Sequence, residues 1–188
     1  MTDRQYGAPL RAFLIHGLAG GRPFHFSAGL DVLARKLNAQ GVPASVHAQG
    51  SFLRPYGEVG MIAAAARAAA GTGARPVLVG HSMGADAALK VAVLLEASRI
   101  AVPLVVCFDP TSFRLIFGPP PVPANVARAL CFYQKISPLG RGLLKAAPGF
   151  AGALIQQQVA TIHSAVDDDP ALHARVLAEV KALQQLAA

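Results

Sequence analysis

Residues 80–84 read Gly-His-Ser-Met-Gly, a Gly-x-Ser-x-Gly pentapeptide whose residue types point to nucleophilic chemistry. It is the signature of a nucleophile elbow, a strand-to-helix turn tight enough to hold its central serine in a strained backbone conformation. Glycine is wanted two residues either side of the serine, because a Cβ there would collide with the neighbouring turn or strand. The flanks agree. Val77-Leu78-Val79 is a buried-strand run, and Ala85 to Val91 continues at helical spacing, with alanines small enough to bring that helix against a sheet. Ser82 is the candidate nucleophile for acyl transfer; the competing reading is a plain glycine-rich strand-to-helix turn.

A serine hydroxyl is a poor nucleophile unless a base takes its proton and a third group orients that base. Of the six histidines, His81 belongs to the elbow, His16 ends the first strand, His25 and His47 fall early, and His173 lies inside the terminal helix. His163 follows the last expected strand and precedes a polar stretch, the place from which a base can reach back over the elbow. It is the candidate base, against the plain reading of a solvated strand-end histidine. Enzymes with this elbow order their residues serine, carboxylate, histidine. Between Ser82 and His163 only Asp86, Glu96 and Asp109 are acidic. Asp109 ends the run Leu104-Val105-Val106-Cys107-Phe108, so it emerges at the carboxyl edge of a parallel sheet, where ligands bind. The rival acids, Asp167, Asp168 and Asp169, form a solvated turn and a negative start to the last helix.

Acyl transfer also needs N–H donors for the developing oxyanion. Met83, the residue after the nucleophile, supplies one through its backbone. The small-residue loop after the first strand, His16-Gly17-Leu18-Ala19-Gly20-Gly21, supplies the other from Leu18. The competing dinucleotide reading of this loop lacks the G-x-G-x-x-G spacing, and the next strand carries no carboxylate for a ribose. His16, Gly17 and His81 are expected beside the bound substrate.

These residues need a scaffold, and the chain alternates strand and helix to provide one. Strands are expected at 10–15, 42–48, 77–80, 102–108, 126–133 and 158–162. Helices are expected at 28–40 with Ser27 as N-cap, at 56–70 closed by Gly71 and Gly73, after the elbow, and at 171–186 following Pro170. This spacing predicts an α/β fold, a three-layer sandwich with a mostly parallel sheet between helices, as one domain over 1–188. The high apolar fraction, 53 % against 14 % charged, fits a sheet covered on both faces. Pro- and Gly-rich stretches at 111–123 and 137–152 are loops.

The formal charge is +7, and no acid falls between Asp109 and Asp167, where Arg114, Arg128, Lys135, Arg141 and Lys145 lie. This charge would attract an anionic substrate, an anionic carrier or a phospholipid surface; general solubility is the plain reading. The basic residues are scattered without a recognition motif, which argues against nucleic acid. Cys107 and Cys131 are expected as small buried hydrophobes, possible sheet neighbours, rather than a disulfide. No cofactor or metal is expected: there is no CxxC and no His/Cys cluster at ligand spacing. The polar N-terminus lacks a signal-peptide core and the longest apolar stretch, 91–108, is interrupted by Glu96, Arg99 and Pro103, so a cytoplasmic location is expected.

Taken together, His16-Gly17, Gly80-His81-Ser82-Met83-Gly84, Asp109 and His163 resemble the α/β-hydrolase superfamily, nearest to its small lipase-like and thioesterase-like members. The resemblance runs from about Leu10 to the C-terminus. It implies a Ser82 nucleophile, a His163 base and an Asp109 orienter that hydrolyse a small acyl ester or thioester through an acyl-enzyme. Many relatives carry the acid one strand later, and a strand pair common at the start of the superfamily's sheet is not found here. The chain has no room for a large helical lid, so an open, shallow site follows. Residues 111–152 are the only material for a cap, apolar through Phe113, Leu115, Ile116, Phe117, Leu143, Leu144 and Phe150; burial of these against the sheet is the alternative. Two other functions stay open: an acyltransferase using the same triad, and a non-catalytic binding protein on the same fold.

Overall fold

A computed structural model of the chain describes residues 8–18, 27–51, 53–112, 118–135 and 142–186. Six strands form one all-parallel sheet: β1 (Leu10–His16), β2 (Ala44–Ala48), β3 (Arg75–His81), β4 (Leu104–Phe108), β5 (Arg128–Tyr133) and β6 (Ala153–Gln158), in the order β2-β1-β3-β4-β5-β6. Among the described residues four α-helices accompany them: α1 (Ala28–Ala39), α2 (Val59–Gly71), α3 (Met83–Glu96) and α4 (Pro170–Gln185), with a 3₁₀ turn over His163–Asp168. The chain reverses its direction of travel across the sheet at β1 and β3, and that switch point opens a crevice at the carboxyl edge.

The sheet separates two cores, which is why its strands read as continuous apolar runs rather than alternating ones. On one face Phe13, Ile15, Leu78, Val105 and Cys107 meet Ile62 and Ala66 of α2 and Leu89 and Ala92 of α3. On the other, Leu14, Val79, Val106 and Phe108 meet Leu30, Leu33 and Leu37 of α1 and Val176 and Val180 of α4. This is the expected three-layer sandwich. Cys107 and Cys131 are register partners on β4 and β5, and both are free and buried. Burial pushes both thiols up, Cys131 to about 12.

Several boundaries differ from expectation for local reasons. Helix α2 starts at Val59 rather than Tyr56, because Tyr56 has φ +64 and cannot open a right-handed helix. Ser27 precedes α1, yet its hydroxyl makes no capping bond. Asp169 caps α4 instead, its side chain accepting from the N–H groups of Ala171 and Leu172. The largest correction concerns the last strand. It spans Ala153–Gln158, not 158–162, because it must pair residue for residue with β5, from Arg128↔Ala153 to Tyr133↔Gln158. The ladder closes with Val159 N–H donating to the Tyr133 carbonyl. Beyond that point β5 has no partner left to offer, and the chain is free to turn into the 3₁₀ segment that starts at His163.

Of the expected cap, Phe113, Leu115, Ile116 and Phe117 lie outside the described residues, as do Arg114, Arg141 and loop residues 19–21. Leu144 is buried in the core and Phe150 packs against it, whereas Leu143 is exposed. Among the described residues no helix is long and apolar enough to cross a membrane. None of their His, Cys, Asp and Glu side chains gather into a group able to hold a metal ion.

Candidate active site

Strand β3 ends at His81 and α3 begins at Met83, so Ser82 alone makes the turn, with φ +56 and ψ −126. Such a conformation costs a non-glycine residue about 1–3 kcal/mol. The surrounding packing imposes it. A Cβ on Gly80 would lie 2.2 Å from the Gly84 carbonyl oxygen, and one on Gly84 would lie 2.0 Å from that of Ile15. The two glycines thus let α3 start directly over β3 and press against β1. A Cβ on Gly17 would come within 2.9 Å of the Ser82 Cβ and 3.4 Å of its Oγ. The loop after β1 therefore passes directly over the serine.

Parallel pairing places the neighbouring strand end alongside. His81 and Phe108 are register partners, so Ser82 and Asp109 follow on adjacent strands, and Ser82 N–H donates to the Phe108 carbonyl at 2.9 Å. Asp109 is fully buried. Its Oδ1 accepts from the Gln134 N–H at 3.2 Å, and its Oδ2 lies 2.6 Å from His163 Nδ1. His163 Nε2 lies 3.0 Å from Ser82 Oγ. A carboxylate can only accept, so Nδ1 carries the proton and Nε2 turns its lone pair toward the serine hydroxyl. The structure thus brings Ser82, His163 and Asp109 into one hydrogen-bonded relay. The other acids between Ser82 and His163 serve elsewhere: buried Asp86 binds Tyr56 and Lys90, and Glu96 accepts from the Ala124 N–H.

The three residues expected beside the substrate separate. Gly17 is at the serine. His16 is nearly buried, with Nε2 3.1 Å from Asp31 on the first turn of α1. The His81 ring is buried and faces away from solvent, so it serves the scaffold. Its Nε2–H donates to the His163 carbonyl at 2.8 Å. That leaves Nδ1 bare to accept from the Ser27 hydroxyl at 2.9 Å, and Ser27 Oγ in turn accepts the Gly17 N–H at 3.1 Å. One chain of bonds therefore runs from the loop over the serine, through Ser27 and His81, to the backbone of His163. It also explains why Ser27 makes no cap.

Asp167 corrects a second expectation. It is wholly buried rather than solvated, because the 3₁₀ turn lies on the start of α1; a Cβ on Gly29 would sit 2.0 Å from the Asp167 carbonyl oxygen. Its Oδ1 is 3.3 Å from His81 Nδ1, close enough for electrostatic contact, but neither carboxyl oxygen has hydrogen-bond geometry to a partner. Burial, with Asp168 adding to it, pushes this carboxyl up to about 7. Burial, with His163 nearby, pushes His81 down to about 4. Both groups are held in their uncharged forms across mildly acidic pH.

One residue at the site escaped the sequence reading. Thr111 Oγ1 lies 3.0 Å from Ser82 Oγ, and its N–H donates to the Ser82 carbonyl at 3.2 Å. Its position two residues past Asp109, in the loop that leaves β4 beside the elbow, was the available signal.

An all-parallel sheet, a serine elbow between β3 and α3, an acid just past β4 and a histidine from the turn after β6 define the α/β-hydrolase fold. No protein-family model matches the chain, and neither does any curated protein. Solved structures do. One is an α/β-superfamily protein from Xanthomonas campestris pv. campestris, 20 % identical, with 94 % of this chain and 96 % of that one covered and a TM-score of 0.56. Another is the RedJ thioesterase of the prodiginine biosynthetic pathway in Streptomyces coelicolor, 18 % identical over 92 % and 91 % of the two chains, TM-score 0.55. A third belongs to the metagenome-derived lipolytic enzymes LipS and LipT, 14 % identical over 95 % and 96 %, TM-score 0.64. At these identities the likeness is one of fold, and the neighbours that share it include thioesterases and lipolytic enzymes.

Proposed function

We propose that the chain is a serine hydrolase that cleaves a small carboxylic ester or thioester through an acyl-enzyme on Ser82. The observation that carries this reading is the relay Asp109 Oδ2, His163 Nδ1, His163 Nε2, Ser82 Oγ, with steps of 2.6 and 3.0 Å. In the proposed reaction Oγ attacks the acyl carbon while Nε2 takes its proton, and Asp109 holds the ring and stabilises the imidazolium. Nε2 then returns that proton to the departing alcohol or thiol. A water repeats the cycle on the acyl-enzyme and releases the acid. The Met83 N–H, at the open first turn of α3, and the Leu18 N–H, on the loop that crosses Ser82, stabilise the oxyanion. Each such donor contributes a few kcal/mol to the transition state. Convergence of all three side chains weighs against a binding protein that has lost its catalytic residues. The same geometry serves an acyltransferase, and product analysis with added alcohols separates the two.

A fluorophosphonate probe tests the reading. It is expected to label the folded protein at Ser82, located by mass spectrometry, with labelling lost in Ser82→Ala and slowed at least 100-fold in His163→Ala. A folded wild type that stays unlabelled would remove Ser82 as an activated nucleophile.

A further inference from the structure

We propose that Thr111 is a catalytic residue of this site, its hydroxyl donating a hydrogen bond to Ser82 Oγ that shortens the lifetime of the acyl-enzyme; this rests on the acyl-enzyme reading above. Proton counting fixes the direction of the bond. His163 Nδ1–H donates to Asp109, Nε2 accepts a hydrogen bond from the only proton on Ser82 Oγ, and the 3.0 Å contact between the two hydroxyls is left for the Thr111 proton to bridge. The donor is well held. Thr111 is nearly buried, it follows Pro110 and Asp109 at the end of β4, and its own N–H is tied to the Ser82 carbonyl.

What this bond does depends on the electron density at Oγ through the cycle. In free enzyme Oγ is a hydroxyl oxygen and a good acceptor. In the acyl-enzyme it is an ester oxygen whose lone pair is delocalised into the carbonyl, and it accepts poorly. During deacylation a water oxygen bonds to the acyl carbon as one water proton passes to Nε2. The carbon becomes tetrahedral and the delocalisation ends. The C–Oγ bond then breaks, its electron pair returning to Oγ, which takes the proton from Nε2 and leaves the free acid. Oγ becomes a better acceptor at each of these stages, so the Thr111 bond strengthens toward the deacylation transition state. In acylation Oγ goes from hydroxyl to ether-like oxygen, a far smaller change. Loss of the bond is therefore expected to slow deacylation more than acylation.

Thr111→Val keeps the shape and the backbone bond to Ser82 and removes only the hydroxyl; Thr111→Ser restores it. With p-nitrophenyl acetate, stopped-flow kinetics and intact mass of quenched samples separate the two half-reactions. Thr111→Val is expected to lower the deacylation rate about tenfold, change the acylation rate by no more than about threefold, and raise the acylated fraction at steady state. Thr111→Ser is expected to deacylate as wild type does. Should the valine variant fail to fold by circular dichroism, Thr111→Ala carries the same expectation. Wild-type deacylation in a folded hydroxyl-free variant overturns the proposal, and so does a serine variant as slow as the valine one, since a restored hydroxyl would then fail to restore the rate. An absent fluorophosphonate adduct on wild-type Ser82 instead removes the acyl-enzyme reading and this proposal with it.

Discussion

Asp167→Asn offers a quantitative test of how the site is supported. The carboxyl is wholly buried, 3.3 Å from His81 Nδ1, and pushed up from 3.8 to about 7 mainly by burial. A folded-state pKa raised above the unfolded one means that the folded protein binds more protons between those two values. Unfolding free energy then falls as pH rises through the window, and the penalty is complete above about pH 7. At 1.36 kcal/mol per pH unit the whole interval corresponds to roughly 4 kcal/mol, which is an upper bound. His81, pushed down to about 4, acts in the opposite sense, with stability rising between about pH 4 and 6.5. It is present in both proteins, so to first order its contribution cancels from their difference. The stability of Asp167→Asn relative to wild type is therefore expected to climb between pH 4.5 and 7.5, by about 2–3 kcal/mol, and to level off above. Urea unfolding at several pH values measures this; with no tryptophan in the chain, circular dichroism at 222 nm is the probe. An offset that is constant across this range, or that shrinks as pH rises, would refute the argument that an uncharged Asp167 is what the fold holds.

Two further outcomes follow from contacts at the elbow. Gly84→Ala puts a Cβ 2.0 Å from the Ile15 carbonyl oxygen, a clash of backbone with backbone. It is expected to cost about 3 kcal/mol or more, read as a lower urea midpoint, and a wild-type midpoint would contradict this packing. Ser27→Ala leaves the Gly17 N–H and His81 Nδ1 without their shared partner. A loss of about 1–3 kcal/mol in stability and a lower kcat with KM little changed are expected, with Ser27→Thr recovering both. Equal activity in Ser27→Ala would show that the loop over Ser82 needs no tether.

The features legible in the sequence were those that a strand and its own neighbours decide. The alternation of apolar runs and helical spacing specified a parallel sheet between helices, because strands buried on both faces must be apolar throughout. Gly80 and Gly84 marked the elbow, since only glycine fits where α3 meets β3 and β1. Asp109 was readable as the residue leaving β4 at the elbow's edge, and Cys107 and Cys131 as possible sheet neighbours. Pairing between distant segments decided the rest. The register against β5 set β6 at Ala153–Gln158, and apolar spacing could not, because 158–162 is as plausible a strand when read alone. Burial of Asp167 depended on the 3₁₀ turn docking on α1, more than a hundred residues earlier in the chain. His81 looked like a residue for substrate, and Ser27 looked like a helix cap. Each was assigned another task by hydrogen bonds across 54 to 82 residues of separation, and such bonds leave no mark on local sequence because neither partner determines the other until the layers have packed.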